Sequence, residues 1–326
     1  MSSSGLNRNA WTRIVAFAAV AGALLMAGCS QTEVPPHLRP LSKENLMLLG
    51  KKSLRPDAPI FIRIFKEESE LEIWKQRQDG RFEHFKTYPI CNWSGELGPK
   101  VRQGDRQAPE GFYTINRHQM NPASQFHLSF NLGYPNNFDK AHGRTGEFLM
   151  VHGNCKSAGC YAMTDGLIEE IYALAREAFI GGQENFQVQA LPFRMTDENL
   201  ARHAAHPAMP FWRTLKEGFD DFEATRVPPQ VVVCSKRYVV NPRWRHVQPV
   251  RVEADQACPS YERNPPELRI KPGQQVAEPY VVVPGVKVRT ADNIGKQPID
   301  PQWARVMGLG GPPPAPAMPA AVAAAH

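Results

Sequence analysis

The sequence predicts a mostly-β domain with a few helices over residues 58–241, and three observations carry that expectation. Short segments that alternate or concentrate apolar residues, bounded by turn formers, recur from residue 60 onward. One long run sustains helical spacing: Ile168, Ile171, Tyr172, Ala175 and Phe179. Past about Asn241 the periodicity stops and proline becomes frequent.

In chain order, residues 30–57 read as a polar tether with a short helix over 41–49. A strand follows over 60–65, where apolar and basic residues alternate, then strands over 71–75 and 81–88. Asp79-Gly80 between the last two is a hairpin signal. Residues 94–111 form a loop rich in glycine and charge, and 112–116 and 126–130 read as strands. A second loop over 131–146 leads to a strand over 147–151, which runs directly into His152. Thr164 or Asp165 caps the following helix, and Gly181-Gly182 stops it. A strand over 186–191, helices over 197–205 and 211–221, and a β pair over 231–234 and 237–240 complete the domain. Residues 242–326 read as a proline-rich, largely disordered tail.

The chain has 326 residues, enough for one good-sized domain with appendages or two small ones. Its formal charge of +6 suits an anionic neighbourhood and selects no particular one. Residues 1–29 read as an export signal. Arg8 and Arg13 precede an uncharged apolar run over 14–27, too short to span a bilayer comfortably. The run ends in Leu25-Met26-Ala27-Gly28-Cys29, which resembles a bacterial lipobox with Cys29 as the lipidated residue. Ser30 after it resembles outer-membrane sorting, so the expected location is the periplasm, anchored to the outer membrane. Export permits disulfides. Apart from Cys29 and Cys160, the cysteines are Cys91, Cys155, Cys234 and Cys258. Four cysteines allow three pairings, among which the sequence does not choose. Cys234 with Cys258 would be a local bridge, and Cys91 with Cys155 would tie a strand end to the loop after His152.

The segment with chemistry in it runs from His152 to Asp165: a histidine at a strand end, a small-residue loop, then Cys160 ahead of a helix. A thiol needs a base or a depressed pKa to attack. The helix N-terminus is expected to favour a thiolate. Gly159 lets the backbone approach a substrate carbonyl, and amides around Gly159 to Tyr161 could hold an oxyanion. His142, His152, Cys155 and Cys160 are residue types zinc accepts, but their spacing fits none of the usual ligand patterns.

His152-Gly153 followed by Ser157-Ala158-Gly159-Cys160 resembles the signature of the L,D-transpeptidase catalytic domain (YkuD-type). Cys160-Tyr161-Ala162-Met163-Thr164 is similar to its YafK-like branch. Further blocks agree in order: Gly98-Pro99-Lys100, Gly104-Asp105, Pro109-Glu110-Gly111-Phe112-Tyr113, Ala141-His142-Gly143 and Pro192-Phe193-Arg194-Met195-Thr196. The resemblance covers roughly residues 45–241. It implies a mixed α/β, mostly β sandwich or barrel with added C-terminal helices. It also implies acyl transfer without a cofactor: Cys160 as nucleophile, His152 as general base, and the Gly153 carbonyl orienting the imidazole. The implied substrate is a peptidoglycan stem peptide, attacked at the L-centre of meso-diaminopimelate. Partners would be peptidoglycan, peptidoglycan-linked envelope proteins and, through Cys29, the membrane; nucleic acid is not expected. Ser157 fills the family's serine position, where shaping the loop is the expected role. His142 would contact substrate or steady a loop. Asp105 and Glu110 read as turn-forming and salt-bridging residues. Two alternatives stand beside this reading. One is a hydrolase cutting L,D-bonds or protein–peptidoglycan links with the same cysteine. The other is a catalytically silent lipoprotein that binds peptidoglycan.

Overall fold

The computed structural model describes residues 33–245 and 251–263. The signal segment, Cys29, residues 30–32 of the tether and the tail beyond residue 263 lie outside them. Helix α1 (Lys43–Lys51) comes first, capped by the Ser42 side chain. Strands β1 (Ile60–Phe65), β2 (Glu70–Gln76) and β3 (Phe82–Pro89) then form an antiparallel meander. Asp79 and Gly80 make its second turn: Gly80 has φ 83°, and Asp79 accepts the Arg81 N–H at 3.1 Å. Next come β4 (Asn92–Trp93), β5 (Gly111–Asn116), β6 (Met120–Asn121) and β7 (Ser129–Asn131). After them are α2 (Asn137–Ala141), β8 (Met150–His152), β9 (Tyr161–Ala162), α3 (Asp165–Ile180) and β10 (Asn185–Leu191). The chain continues through α4 (Asp197–Arg202), α5 (Met209–Thr225), β11 (Val231–Cys234), β12 (Arg237–Val240), β13 (Pro242–Trp244) and β14 (Tyr261–Arg263).

Two five-stranded sheets result, in the orders β3-β2-β1-β10-β5 and β4-β9-β8-β7-β6. Both sheets and α3 contribute to one apolar core, which holds Ile62, Ile73 and Val188 with Phe130, Val151, Tyr161, Ile168 and Ile171. This is the expected mixed, mostly β sandwich. Truncating a fully buried member such as Ile64 to alanine costs about 2–5 kcal/mol.

Every residue of β1 is buried, because the first sheet is covered on both faces. Ile60, Ile62 and Ile64 enter the shared core, while Phe61 and Phe65 pack with Phe222 and Phe219 of α5. Arg63 lies within the protein's interior, bonded to Glu72 at 2.8 Å and to Glu223 at 2.6 Å. A buried charge without such partners would cost several kcal/mol. The alternation of apolar and basic residues over 60–65 therefore marks a buried ion pair and not a wet face.

Three expectations are adjusted. Residues 137–141, expected in a loop, form α2, closed by a capping box between Asn136 and Asp139. That helix is too short to show in apolar periodicity. The strands expected over 126–130 and 147–151 start only at Ser129 and Met150, because His127 and Phe148 have φ of 71° and 55°. Structure also continues past Asn241. β13 pairs with β14, and a Cys234–Cys258 disulfide holds residue 258 to the end of β11.

Candidate active site

His152 ends β8, and β9 runs parallel to it with Val151 opposite Tyr161 and His152 opposite Ala162. Cys160, one residue before β9, is thereby held beside Met150. The Met150 N–H donates to Cys160 Sγ at 3.4 Å, and the thiol donates to the Phe148 carbonyl at 3.6 Å. Cys160 and His152 line the same cleft, a cavity of about 440 Å3. Cys160 is the one free cysteine among the described residues.

The loop between the two residues is tied down on every side. His152 Nδ1 lies 2.6 Å from the Gly153 carbonyl oxygen, so this nitrogen carries the proton and Nε2 is the basic one. The Phe126 ring lies against the imidazole, with centroids 5.0 Å apart. Gly153 is a glycine for steric reasons: a Cβ there would sit 2.6 Å from Asp165 Oδ1 and 2.8 Å from the Phe126 carbonyl oxygen. Asp165, at the start of α3, also accepts the Asn154 N–H at 2.8 Å. Cys155 is bridged to Cys91, and its N–H donates to the Met163 carbonyl at 3.1 Å.

Burial decides the charge state of the pair. It pushes the imidazole of His152 down to about 4, against the opposing pull of the Gly153 carbonyl. It pushes the Cys160 thiol up to about 11, although the Met150 N–H and the Lys100 charge act the other way. At neutral pH both groups are uncharged. The start of the following helix is not among the groups that act on the thiol. α3 begins at Asp165, with β9 between it and Cys160; in its first turn the Leu167 N–H is capped by Thr164, and the Asp165 carboxylate accepts the Asn154 N–H.

The remaining expected residues divide into two groups. Ser157 shapes the loop: its hydroxyl donates to the Cys160 carbonyl at 2.7 Å and accepts the Gly159 N–H at 3.3 Å. Gly159 adopts φ 121°, and its N–H is turned to Ser157, not into the cleft. The Tyr161 side chain is core, with its hydroxyl on the Pro109 carbonyl at 2.6 Å. His142 is not brought to the site. It caps α2, its Nδ1 meets the Phe138 carbonyl oxygen at 2.9 Å, and it does not line the cleft. Glu110 is buried on Lys66 at 2.9 Å and also accepts the Gly98 N–H and the Trp212 indole N–H, each at 2.7 Å. Lys66 further donates to the carbonyls of Glu96, Gly98 and Ala108, at 2.8, 3.0 and 3.0 Å. Together they pin the loop between β4 and β5 against the sandwich. Asp105 organises the loop's tip by accepting the N–H groups of Val101, Arg102 and Gln107.

Sequence reasoning gave no role to Lys100, Arg106, Phe126 or Ser129, all of which line the cleft. Lys100 stood inside a recognised block; the other three reach the site only through loop and sheet geometry.

The fold and the cleft define the class. The family model for the YkuD L,D-transpeptidase catalytic domain matches residues 61–188, which include both His152 and Cys160. The chain belongs to the L,D-transpeptidase family. YafK of Escherichia coli strain K12, which bears the name of an L,D-transpeptidase, is 45% identical over 213 residues, covering 64% of this chain and 83% of that one. YafK of Escherichia coli O157:H7 matches to the same extent. Among solved structures, the helical cell shape determining protein Pgp2 from Campylobacter jejuni is similar at 20% identity with a TM-score of 0.34. It covers 48% of this chain and 56% of its own, a likeness too weak to carry an argument.

Proposed function

We propose that the protein is a peptidoglycan L,D-transpeptidase that passes an acyl group through a thioester on Cys160. The observation that carries this reading is the pairing of the two strand ends. A free thiol and an imidazole with its Nδ1–H fixed on Gly153 line one cleft. Because both groups rest uncharged, the proton leaves sulfur only as the bond to carbon forms. His152 Nε2 takes that proton while Sγ attacks the carbonyl of the L-centre of diaminopimelate in a stem peptide. The tetrahedral intermediate collapses by breaking the C–N bond. His152 then hands its proton to the departing nitrogen, and the terminal D-residue leaves as an amine. An acceptor amine next attacks the thioester, with His152 taking its proton, and Cys160 is released and reprotonated. The product is a new amide, which cross-links or remodels the wall. Export through the signal segment and anchoring of the periplasmic enzyme to the outer membrane at Cys29 belong to the same proposal.

Incubating the purified protein with isolated cell-wall sacculi tests this. Muropeptide analysis should show new links from the L-centre of one diaminopimelate to a second stem, with release of the terminal D-residue. A Cys160→Ser protein should give neither. Muropeptides left unchanged by a folded wild-type protein would overturn the reading. Release without any new link would assign water as the acceptor.

A further inference from the structure

We propose that Arg106 is the residue that selects the donor substrate, binding a free carboxylate of the stem peptide beside Cys160. The proposal rests on the transpeptidase reading and specifies its substrate. Three charged side chains line the cleft: Lys100, Arg106 and Glu147. Lys100 is buried and already committed, to the Asp105 carboxylate and to the Arg102 carbonyl at 2.9 Å. Arg106 is exposed, and its guanidinium has no ion pair or hydrogen bond among the described residues. It is therefore the cation in the cleft that is available to a ligand.

Its backbone is held in place even though its side chain is not. The Arg106 carbonyl accepts the Ser94 hydroxyl at 2.8 Å, and Ser94 in turn meets Ser157 of the catalytic loop at 3.3 Å. Arg106 has φ 58°, a left-handed conformation uncommon for a residue with a side chain and maintained by these neighbours. The segment also abuts the nucleophile's own turn. A Cβ on Gly159 would lie 3.5 Å from the Gln107 carbonyl oxygen and 3.9 Å from the Arg106 carbonyl carbon. A side chain rooted there, against the residue that precedes Cys160, can place a guanidinium within a few bonds of the scissile carbonyl. The planar fork of arginine matches a carboxylate with two parallel hydrogen bonds. A donor stem offers two such groups: the terminal carboxylate of the D-residue that leaves, and the carboxylate at the D-centre of diaminopimelate. Either one makes a free carboxylate a condition of acylation.

Calorimetric binding to the full-length protein carrying Cys160→Ser separates recognition from chemistry. Four probes are used: a stem tetrapeptide ending in diaminopimelate and D-alanine, the same peptide amidated at its terminus, the peptide amidated at the D-centre of diaminopimelate, and the doubly amidated peptide. The unmodified peptide should bind about 10–100-fold more tightly than one of the singly amidated forms, which identifies the carboxylate that is read. Adding Arg106→Ala should erase that difference, and Arg106→Lys should restore part of it. If Arg106→Ala weakens all four probes equally, or none of them, the proposal is wrong while the transpeptidase reading stands. If the folded Cys160→Ser protein binds no form of the peptide, the transpeptidase reading fails and the proposal with it.

Discussion

Replacing His152 by alanine should change how Cys160 acylation depends on pH, and not only its rate. With a thiol pushed up to about 11, the fraction present as thiolate at pH 7 is on the order of 10⁻⁴. A wild-type enzyme that waited for that thiolate would gain tenfold per pH unit up to the thiol's own pKa. With His152 as base, acylation needs only a neutral imidazole, which burial supplies above about 4. The wild-type rate should therefore rise across about pH 4 and stay flat through neutrality, with apparent values that belong to the coupled pair. His152→Ala should lose about 10² to 10⁴ in rate at pH 7. It should then climb steadily with pH, so that the gap narrows at the alkaline end. Stability carries a second sign. The unfolded imidazole titrates near 6.5 and the folded one at about 4, so the unfolded protein binds more protons between those values. The wild type should lose up to about 3 kcal/mol as pH falls through that window. His152→Ala should lack this component. Rapid-mixing mass spectrometry of the Cys160 adduct against pH, with thermal melts of both proteins, reads both effects. A well-folded His152→Ala protein with the wild-type rate and profile would refute the base role.

Four further outcomes concern the loop and the C-terminal residues. Replacing Cys91 and Cys155 together by serine opens a disulfide of sequence separation 64 and should cost about 4 kcal/mol by denaturant titration, with part of the activity retained. Gly153→Ala forces a methyl against Asp165 Oδ1 and the Phe126 carbonyl, so the imidazole moves and acylation should fall by about 10²-fold in steady-state assays. Unchanged kinetics there would show that the Gly153 contact does not set the histidine. A protein truncated after residue 263 should match the full-length protein in melting temperature and acylation rate. One truncated after residue 241 leaves Cys234 without Cys258 and should lose about 3 kcal/mol.

Much of this was legible in the sequence where one local rule sufficed. The Asp79-Gly80 hairpin, the Thr164-capped helix and the pair β11–β12 each depend on a few adjacent residues. His152 and Cys160 were legible because the signature names them a short loop apart, and parallel pairing of β8 with β9 then brings them to one cleft. What the sequence hid depends on distant contacts. Nothing local says that Arg63 meets Glu223 or that Lys66 gathers three carbonyls and Glu110. Nor does it say that a two-residue strand separates Cys160 from the helix expected to polarise it. The positive φ of His127 and Phe148 shortened two strands that alternation alone would have lengthened.

The thioester is the claim on which the rest depends, and intact-protein mass spectrometry reads it directly. Mixing the wild type with a stem tetrapeptide and quenching in acid should give a mass increase equal to the tetrapeptide minus the released terminal D-amino acid. Peptide mapping should place it on Cys160, and a Cys160→Ser protein should show no adduct. An adduct on a residue other than Cys160, or turnover of the peptide by Cys160→Ser at the wild-type rate, would contradict the account.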